Sequence, residues 1–302
     1  MQNRILDISD AGARLRVQYK QLVVERADQL PVSIPLAELA VVVVAHPQVS
    51  YTQAVLSGLA AEGGVFVTCD ERRLPVGILF PMQGHFVQAE RIAAQARVSH
   101  PIRKRIWQQL IRAKITSQAD LLSLLHGNDY GLRALIPLVK SGDPTNVEAR
   151  AARRYWTVIF GSNSFLRDRA AEDQNRLLNY GYAILRAMAA RAVCAAGLHP
   201  SLGIHHHNRY NAFCLADDLM EPFRVRVDQA VADHVREFGA NAEFGKEQKT
   251  EILSALMGRC NLSGEAFTIF DTLARVANSL AAVFSGESKE LHLPERILDA
   301  AA

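Results

Sequence analysis

Cysteine is scarce and scattered in this 302-residue chain: Cys69, Cys194, Cys214 and Cys260 lie far apart in apolar contexts, and no CxxC occurs. That spacing supports neither a zinc knuckle nor a dithiol redox motif and reads as buried free thiols in a reducing cytosol. Long apolar runs are missing too. The longest, Leu39 to Ala45, is far too short to span a bilayer. The opening "MQNRILDISDAGARL" has no apolar core of signal-peptide length. The expectation is a soluble cytoplasmic protein with no membrane association. A large excess of one charge is also lacking, since the net charge is only +3, so no partner follows from charge alone. Internal repeats and low-complexity tracts are absent. What remains is ordinary globular composition, 49% apolar and 22% charged, in a chain long enough to bury a sizeable core.

The residues are ordered by class along the chain. "RILDIS", "RLRVQYKQLVVE", "VSIPLAELAVVVVA", "GGVFVTCD" and "PVGILFP" are short, rich in β-branched residues, and separated by turn signals such as Asp10–Gly12 and Gly63–Gly64. One helix, Thr52 to Gly63, interrupts them. After Gly84 the Val-rich runs disappear, and Ala, Leu, Arg and Gln take over at helical period. Helices are expected near 86–98, 102–117, 118–126, 130–139, 146–160, 174–196, 219–237, 247–257 and 264–284. The fold class is therefore α+β: a small N-terminal β-domain over residues 1–86, followed by a larger all-helical C-terminal domain over 87–302.

Positive charge is concentrated locally. Between Phe86 and Gln118 stand Arg91, Arg97, Arg103, Lys104, Arg105, Arg112 and Lys114 against a single acid, Glu90. Such a run suits a polyanion, and it also suits a solvated helix face.

Chemistry concentrates in "LGIHHHNRYNAFCLADDLMEPFRV", Leu202 to Val225. Gly and Pro flank the preceding turn, so Leu202 to His207 is expected to be extended. Alternation then puts Leu202, Ile204 and His206 on one face, at the edge of the core, with His205 and His207 toward solvent. The acids that follow have two readings. Asp218 and Glu221 have capping-box spacing, which would make them a helix start. Positions i and i+3 also share a helix face, so the same two carboxylates could converge on a cation, with Arg224 or Arg226 as the competing counter-charge. Upstream, "SGDPTNVEARAARRYW" places Glu148 in the first turn of an amphipathic helix, where the helix dipole alone would favour an acid.

These stretches, with "QNRLLNYGYAILRAMAARAVCAAGLHPSLGIHHHN" between them, together resemble the CRISPR-associated endonuclease of the adaptation module, the integrase subunit of spacer acquisition. The resemblance covers nearly the whole chain and is strongest to members from type II systems. The family pattern has a Glu before an Ala/Arg–Tyr–Trp helix, here Glu148. It has a His three residues after the Gly of "LGI", here His206, and an acid three residues after an Asp, here Glu221.

The resemblance implies that Glu148, His206 and Glu221 are catalytic and hold Mn²⁺ or Mg²⁺, with Asp218 and Tyr180 in support and Tyr182, like Tyr180, resembling residues beside the site. It implies double-stranded DNA as the substrate, both as incoming fragment and as CRISPR repeat, and a 3′-hydroxyl attack on repeat-border phosphodiesters. It also implies a homodimer formed through the N-terminal domain and a small ferredoxin-like partner in a heterohexameric complex. Arg103, Lys104, Arg105, Lys114, Arg153, Arg167 and Arg186, with Arg150 and Arg169 nearby, are the candidate phosphate contacts. Two other readings use the same residues. One is a stand-alone metal-dependent nuclease for branched DNA. The other is a non-enzymatic helical DNA-binding scaffold in which the acids are caps and the histidines merely exposed.

Overall fold

The computed structural model describes residues 3–71, 75–81, 84–161, 165–168, 170–240 and 245–298. Arg169 lies outside them. The N-terminal part holds β1 (Arg4–Ile8), β2 (Ala13–Gln18), β3 (Gln21–Glu25), β4 (Val32–Pro35), β5 (Leu39–Val44), β6 (Val49–Tyr51), α1 (Gln53–Ala61), β7 (Val65–Cys69) and β8 (Pro75–Leu79). They form two four-stranded sheets, in the orders β1-β5-β7-β8 and β4-β3-β2-β6. In the first, β1, β5 and β7 run parallel and β8 is antiparallel. The β2–β3 hairpin turns through Tyr19 and Lys20, both at positive φ, as a turn matched to strand twist requires.

The sequence "LAVVVV" of β5 shows why this sheet is central. All six residues are buried, and from Val41 onward they alternate between two cores. Val42 and Val44 pack with Ile8, Leu15, Leu22 and Val55, under the second sheet and α1. Val41 and Val43 belong instead to the core built by the helices. Strands give way to helices after Leu79, close to the expected change of class, but the apolar core runs across that point.

The helices are α2 (Gln88–Arg97), α3 (His100–His126), α4 (Val147–Val158), α5 (Asn175–Ala195), α6 (Cys214–Met220), α7 (Val225–Phe238), α8 (Lys246–Leu256) and α9 (Ile269–Ser285). Helix α5 is buried over most of its surface, with a half-buried stripe at Arg176, Asn179, Ala183 and Arg186, and acts as the central post. Its Gly181 has no room for a side chain, because a Cβ there would press into Val227 on α7 and Ile252 on α8. Among the described residues no helix is long and apolar enough to cross a membrane. Cys194, Cys214 and Cys260 are buried and Cys69 is half-buried, all as free thiols.

Several boundaries differ from the sequence reading. The helices expected at 102–117 and 118–126 are one 27-residue helix, α3. Ser117 looks like a cap, but its hydroxyl returns to the Ala113 carbonyl inside the helix. Residues 130–139 hold only a 3₁₀ segment, Arg133–Leu138, because Pro137 cannot donate within an α-helix. The C-terminal part is not all-helical. β9 (Arg259–Leu262) and β10 (Glu265–Thr268) form a hairpin over Ser263–Gly264, both at positive φ. The last helix starts only after Thr268, whose hydroxyl accepts the Asp271 N–H as a cap.

Candidate active site

Three chain segments meet at one cation position. Glu148 is the second residue of α4, and the helix start is built for it. Asp143 caps the turn by accepting the N–H groups of Val147 and Glu148, each at 2.9 Å. Glu221 opens a 3₁₀ turn, Glu221–Arg224, whose Pro222 sits where a helix start has no use for an N–H. Between the two carboxylates lies the ammonium of Lys114 from α3, 2.6 Å from Glu148 Oε1 and 2.7 Å from Glu221 Oε2. Arg224 donates to the other oxygen of Glu221 at 2.9 Å. Burial opposes the charge on Glu221, but Arg224 and Lys114 outweigh it and hold the carboxyl at about 2. Burial likewise opposes the charge on Lys114, and Glu221 and Glu148 raise its pKa regardless.

The histidine loop is not an extended strand. Residues 202–208 wrap around the fully buried carboxylate of Asp218, which accepts N–H groups from Ile204 (2.6 Å), His205 (3.1 Å) and His206 (3.2 Å). Gly203 makes the wrap possible, since a Cβ there would collide with the His206 carbonyl. Ile204 is buried as expected, whereas Leu202 is exposed. The Nδ1 of His206 contacts Asp218 Oδ1 at 2.6 Å, which leaves Nε2 as the nitrogen available to a ligand. That hydrogen bond raises the His206 pKa against the opposing effect of burial. His205 does not simply face solvent. Its ring stacks on the buried Trp107 of α3 at 4.1 Å and 3°, and burial lowers its pKa. His207 is exposed.

The capping-box account of Asp218 and Glu221 fails, because α6 begins at Cys214 and both acids lie beyond its start. They do not converge on each other either. Asp218 serves the histidine loop, while Glu221 faces Lys114 and Arg224. Asp217 is engaged with Arg186 (2.6 Å) and Asn211 (2.7 Å).

Tyr180 is not beside the site: its hydroxyl donates to Asp7 on β1. The tyrosine two positions on takes that place. A helical step of two residues turns the side chain to nearly the opposite face, and both tyrosines are buried. Tyr182 lines a cavity of about 210 Å³ together with Lys114, Gln118, Trp156, Arg167, Glu221, Arg224 and Asp228. The Tyr182 and Tyr155 hydroxyls both donate to Asp228, whose pKa burial pushes up to about 6 against those two hydrogen bonds. Arg224 and Arg167 lie over the Tyr182 ring at 4.6 and 5.5 Å.

The candidate phosphate contacts divide by partner. Lys104, Arg105 and Arg153 are exposed, as are Arg97 and Arg150. Arg103 is half-buried and reaches the Ala96 carbonyl. Arg167 bonds Asn175 and Asn179, and Arg186 pairs with Asp217. Lys114 does not face solvent: its side chain is 12% exposed and closed between two acids. Arg91 is half-buried and donates to the Ala196 carbonyl, while Arg112 is exposed and donates to the Val139 carbonyl. Part of the basic excess read from the sequence, Lys114 above all, therefore serves internal contacts.

The family model for CRISPR associated protein Cas1 matches residues 6–259. A curated relative, the CRISPR-associated endonuclease Cas1 of Neisseria meningitidis serogroup C, is 33% identical over 288 residues, covering 94% of this chain and 93% of the relative. The chain belongs to the Cas1 family. Solved structures share the fold of this Cas1 chain at low identity. A casposase bound to its integration product aligns with a TM-score of 0.77 at 19% identity, over 99% of this chain and 96% of the other. A Cas6-RT-Cas1–Cas2 complex aligns at 0.75 and 18% identity, over 99% of this chain and 36% of the larger one.

Whether a divalent metal ion suits these residues is answered by the donors themselves. Among the described residues no three His, Cys, Asp or Glu side chains are already grouped closely enough to hold an ion. Lys114 stands between two of them. Glu221 Oε2 is buried and has no aligned hydrogen bond, its contact with Lys114 being one of charge. Two carboxylates that share one lysine as counter-ion, and an imidazole oriented through its other nitrogen, are donors of the kind a hard divalent cation takes.

Proposed function

We propose that this chain is a divalent-metal-dependent DNA endonuclease and integrase that inserts fragments into a CRISPR array. The observation that carries this reading is the convergence of Glu148 and Glu221, from separate helices, on one cation position, with a His206 oriented by Asp218 and within the electrostatic reach of Glu221. Glu148, Glu221 and Nε2 of His206 would hold Mn²⁺ or Mg²⁺. A bound ion of that kind supplies Lewis-acid polarisation of a phosphoryl oxygen and stabilises oxyanion charge.

The remaining work belongs to the protein. Asp218 fixes the His206 ring and its tautomer. Arg224 holds one Glu221 oxygen and adds positive charge at the mouth of the cavity. In the reaction, a 3′-hydroxyl of the incoming strand forms a new P–O bond at the repeat border, and the bond to the displaced 3′-oxygen breaks. The oxygen that leaves takes up a proton as the attacking hydroxyl loses one. Support for strand transfer comes from the similarity to a casposase captured with its integration product. A Cas2 partner, read here as the small ferredoxin-like protein of a heterohexamer, is supported by the similar chain that is part of a Cas1–Cas2 complex.

Joining decides between an integrase and a stand-alone nuclease. Incubation with Mn²⁺, a repeat-bearing plasmid, a short duplex with free 3′-hydroxyls and the small partner is expected to yield covalently joined product. Cutting without joining would favour the stand-alone nuclease, and metal-independent binding with no cutting would favour the scaffold.

A homodimer through the N-terminal sheets is part of the same proposal. Tyr19 (89%), Leu30 (90%) and Val32 (58%) are exposed on and near edge strand β4, and Val76 (66%) is exposed on edge strand β8. Bare edges with apolar side chains favour pairing. Light scattering at tens of micromolar is expected to give the mass of a dimer, and a monomer there contradicts the proposal.

DNA binding is expected to weaken steeply with salt. Arg97, Lys104, Arg105, Arg150 and Arg153 are among the exposed cations of α2, α3 and α4. Neutralising roughly five phosphates corresponds to a loss on the order of 10²–10³-fold in affinity between about 50 and 200 mM salt. Fluorescence anisotropy across that range checks it, and a flat response means these charges do not contact DNA.

A further inference from the structure

The cation already present between Glu148 and Glu221 belongs to the chain. Lys114 projects from α3 with its side chain 12% exposed, and its ammonium lies 2.6 and 2.7 Å from oxygens of the two acids. A divalent ion bound by those oxygens at about 2.0–2.2 Å would need the same point in space. We propose that Lys114 is an internal counter-ion that holds the two carboxylates together before metal arrives and must leave for metal to enter.

Charge balance supports exchange over addition. Lys114 and Arg224 together neutralise Glu148 and Glu221, which form ion pairs with them. Adding a divalent ion while keeping both cations would leave a surplus of positive charge in a poorly hydrated cavity, where such a surplus is costly. Removing the lysine without supplying metal is costly in the opposite sense, because two neighbouring carboxylates would face each other with Arg224 alone.

The fold also provides somewhere for the ammonium to go. The cavity of about 210 Å³ beside the acids is lined by Lys114 itself and by Gln118, one helical turn further along α3. Gln118 is 5% exposed, and its Oε1 is a buried acceptor with no hydrogen-bond partner. An orphan acceptor of this kind is uncommon in a folded protein and calls for a reason. The four-carbon lysine stem can swing while its root stays fixed. Lys114 thus has two seats on one face of α3: the acid pair when metal is absent, and Gln118 Oε1 when metal is bound.

This proposal rests on the metal reading given under Proposed function, and the experiment separates the two. Mn²⁺ binding is measured by the electron paramagnetic resonance signal of free Mn²⁺, and thermal melting is followed with and without Mn²⁺. The proteins are the full-length wild type, Lys114→Met, Gln118→Met and Glu148→Gln. Lys114→Met is expected to bind Mn²⁺ about tenfold more tightly than wild type, to melt lower without metal, and to gain more from Mn²⁺. Gln118→Met keeps both acids and the lysine but removes the second seat, so its Mn²⁺ affinity is expected to fall severalfold. That variant keeps the proposal testable even if Lys114→Met does not fold. Wild-type binding that is lost in Glu148→Gln, with unchanged affinity in Lys114→Met and Gln118→Met, overturns the role of Lys114 alone. Mn²⁺ binding indifferent to Glu148→Gln overturns the metal reading and this proposal together.

Discussion

Glu148→Gln and Glu221→Gln are both expected to lose Mn²⁺-dependent cutting and joining of DNA by ~10³-fold or more, but to differ in stability. The activity loss follows from removing one anionic donor of a site whose ion contributes several kcal/mol to the transition state. Stability separates them because their burial differs. The Glu148 side chain is 25% exposed and has one partner, Lys114, so its replacement is expected to cost about 1 kcal/mol or less. Glu221 is 6% exposed and pairs with both Lys114 and Arg224, so its replacement strips Arg224 of its carboxylate, leaves Lys114 with Glu148 alone, and is expected to cost roughly 3 kcal/mol.

The pH dependence has the matching sign. The folded-state carboxyl of Glu221 is held at about 2, below its ordinary value of 4.5. Its stabilisation is therefore fully present above about pH 4.5 and is lost as pH falls toward 2. Urea denaturation of the metal-free proteins at pH 7 and pH 3 checks this. A wild-type advantage over Glu221→Gln that is no smaller at pH 3 rules out the pairing as its source. Near-normal Mn²⁺-dependent activity in either variant rules out the site.

Glu148 and Glu221 were singled out through the family resemblance, and each sits at a local feature that short-range patterns record. One is the first turn after "SGDPTN", and the other precedes a proline that fixes a tight turn. The β-rich start and helical remainder were legible for the same reason, since period and β-branching are local. The β9–β10 hairpin was not, because "NLSGEAF" offers four-residue strands too short to show alternation.

Long-range partners left no trace in the sequence. Lys114 read as a surface charge because lysine is rarely buried, and its acids lie 34 and 107 positions away. Asp218 read as a cap because Asp-x-x-Glu spacing is shared by caps and by an acid that folds a loop around itself. Only the loop's three N–H groups tell them apart. Trp107 and Lys114, seven residues apart on α3, mark the wall against which both the histidine loop and the acid pair are built.

Alanine at each of the three consecutive histidines is expected to give three different phenotypes. His206→Ala removes the ring whose Nδ1 meets Asp218 and whose Nε2 remains for a ligand, so metal-dependent cutting and joining are expected to vanish. The fold should survive, because the backbone N–H of residue 206 still donates to Asp218 after the side chain is gone. His205→Ala removes a ring stacked on Trp107, which costs about 1 kcal/mol of stability and lowers activity several-fold by loosening the loop that carries His206. His207 is exposed and has no hydrogen bond that the loop depends on, so His207→Ala is expected to melt like wild type and to keep most activity. Thermal melts and Mn²⁺-dependent strand cleavage on the same three proteins read both quantities. The ranking in activity should be 207 above 205 above 206, while the ranking in melting temperature should put 205 lowest. A dead His205→Ala beside an active His206→Ala would move the ligand by one residue, and the contact between Asp218 and the His206 imidazole would then be structural only. Equal, mild losses at all three would mean that none of these histidines is a ligand.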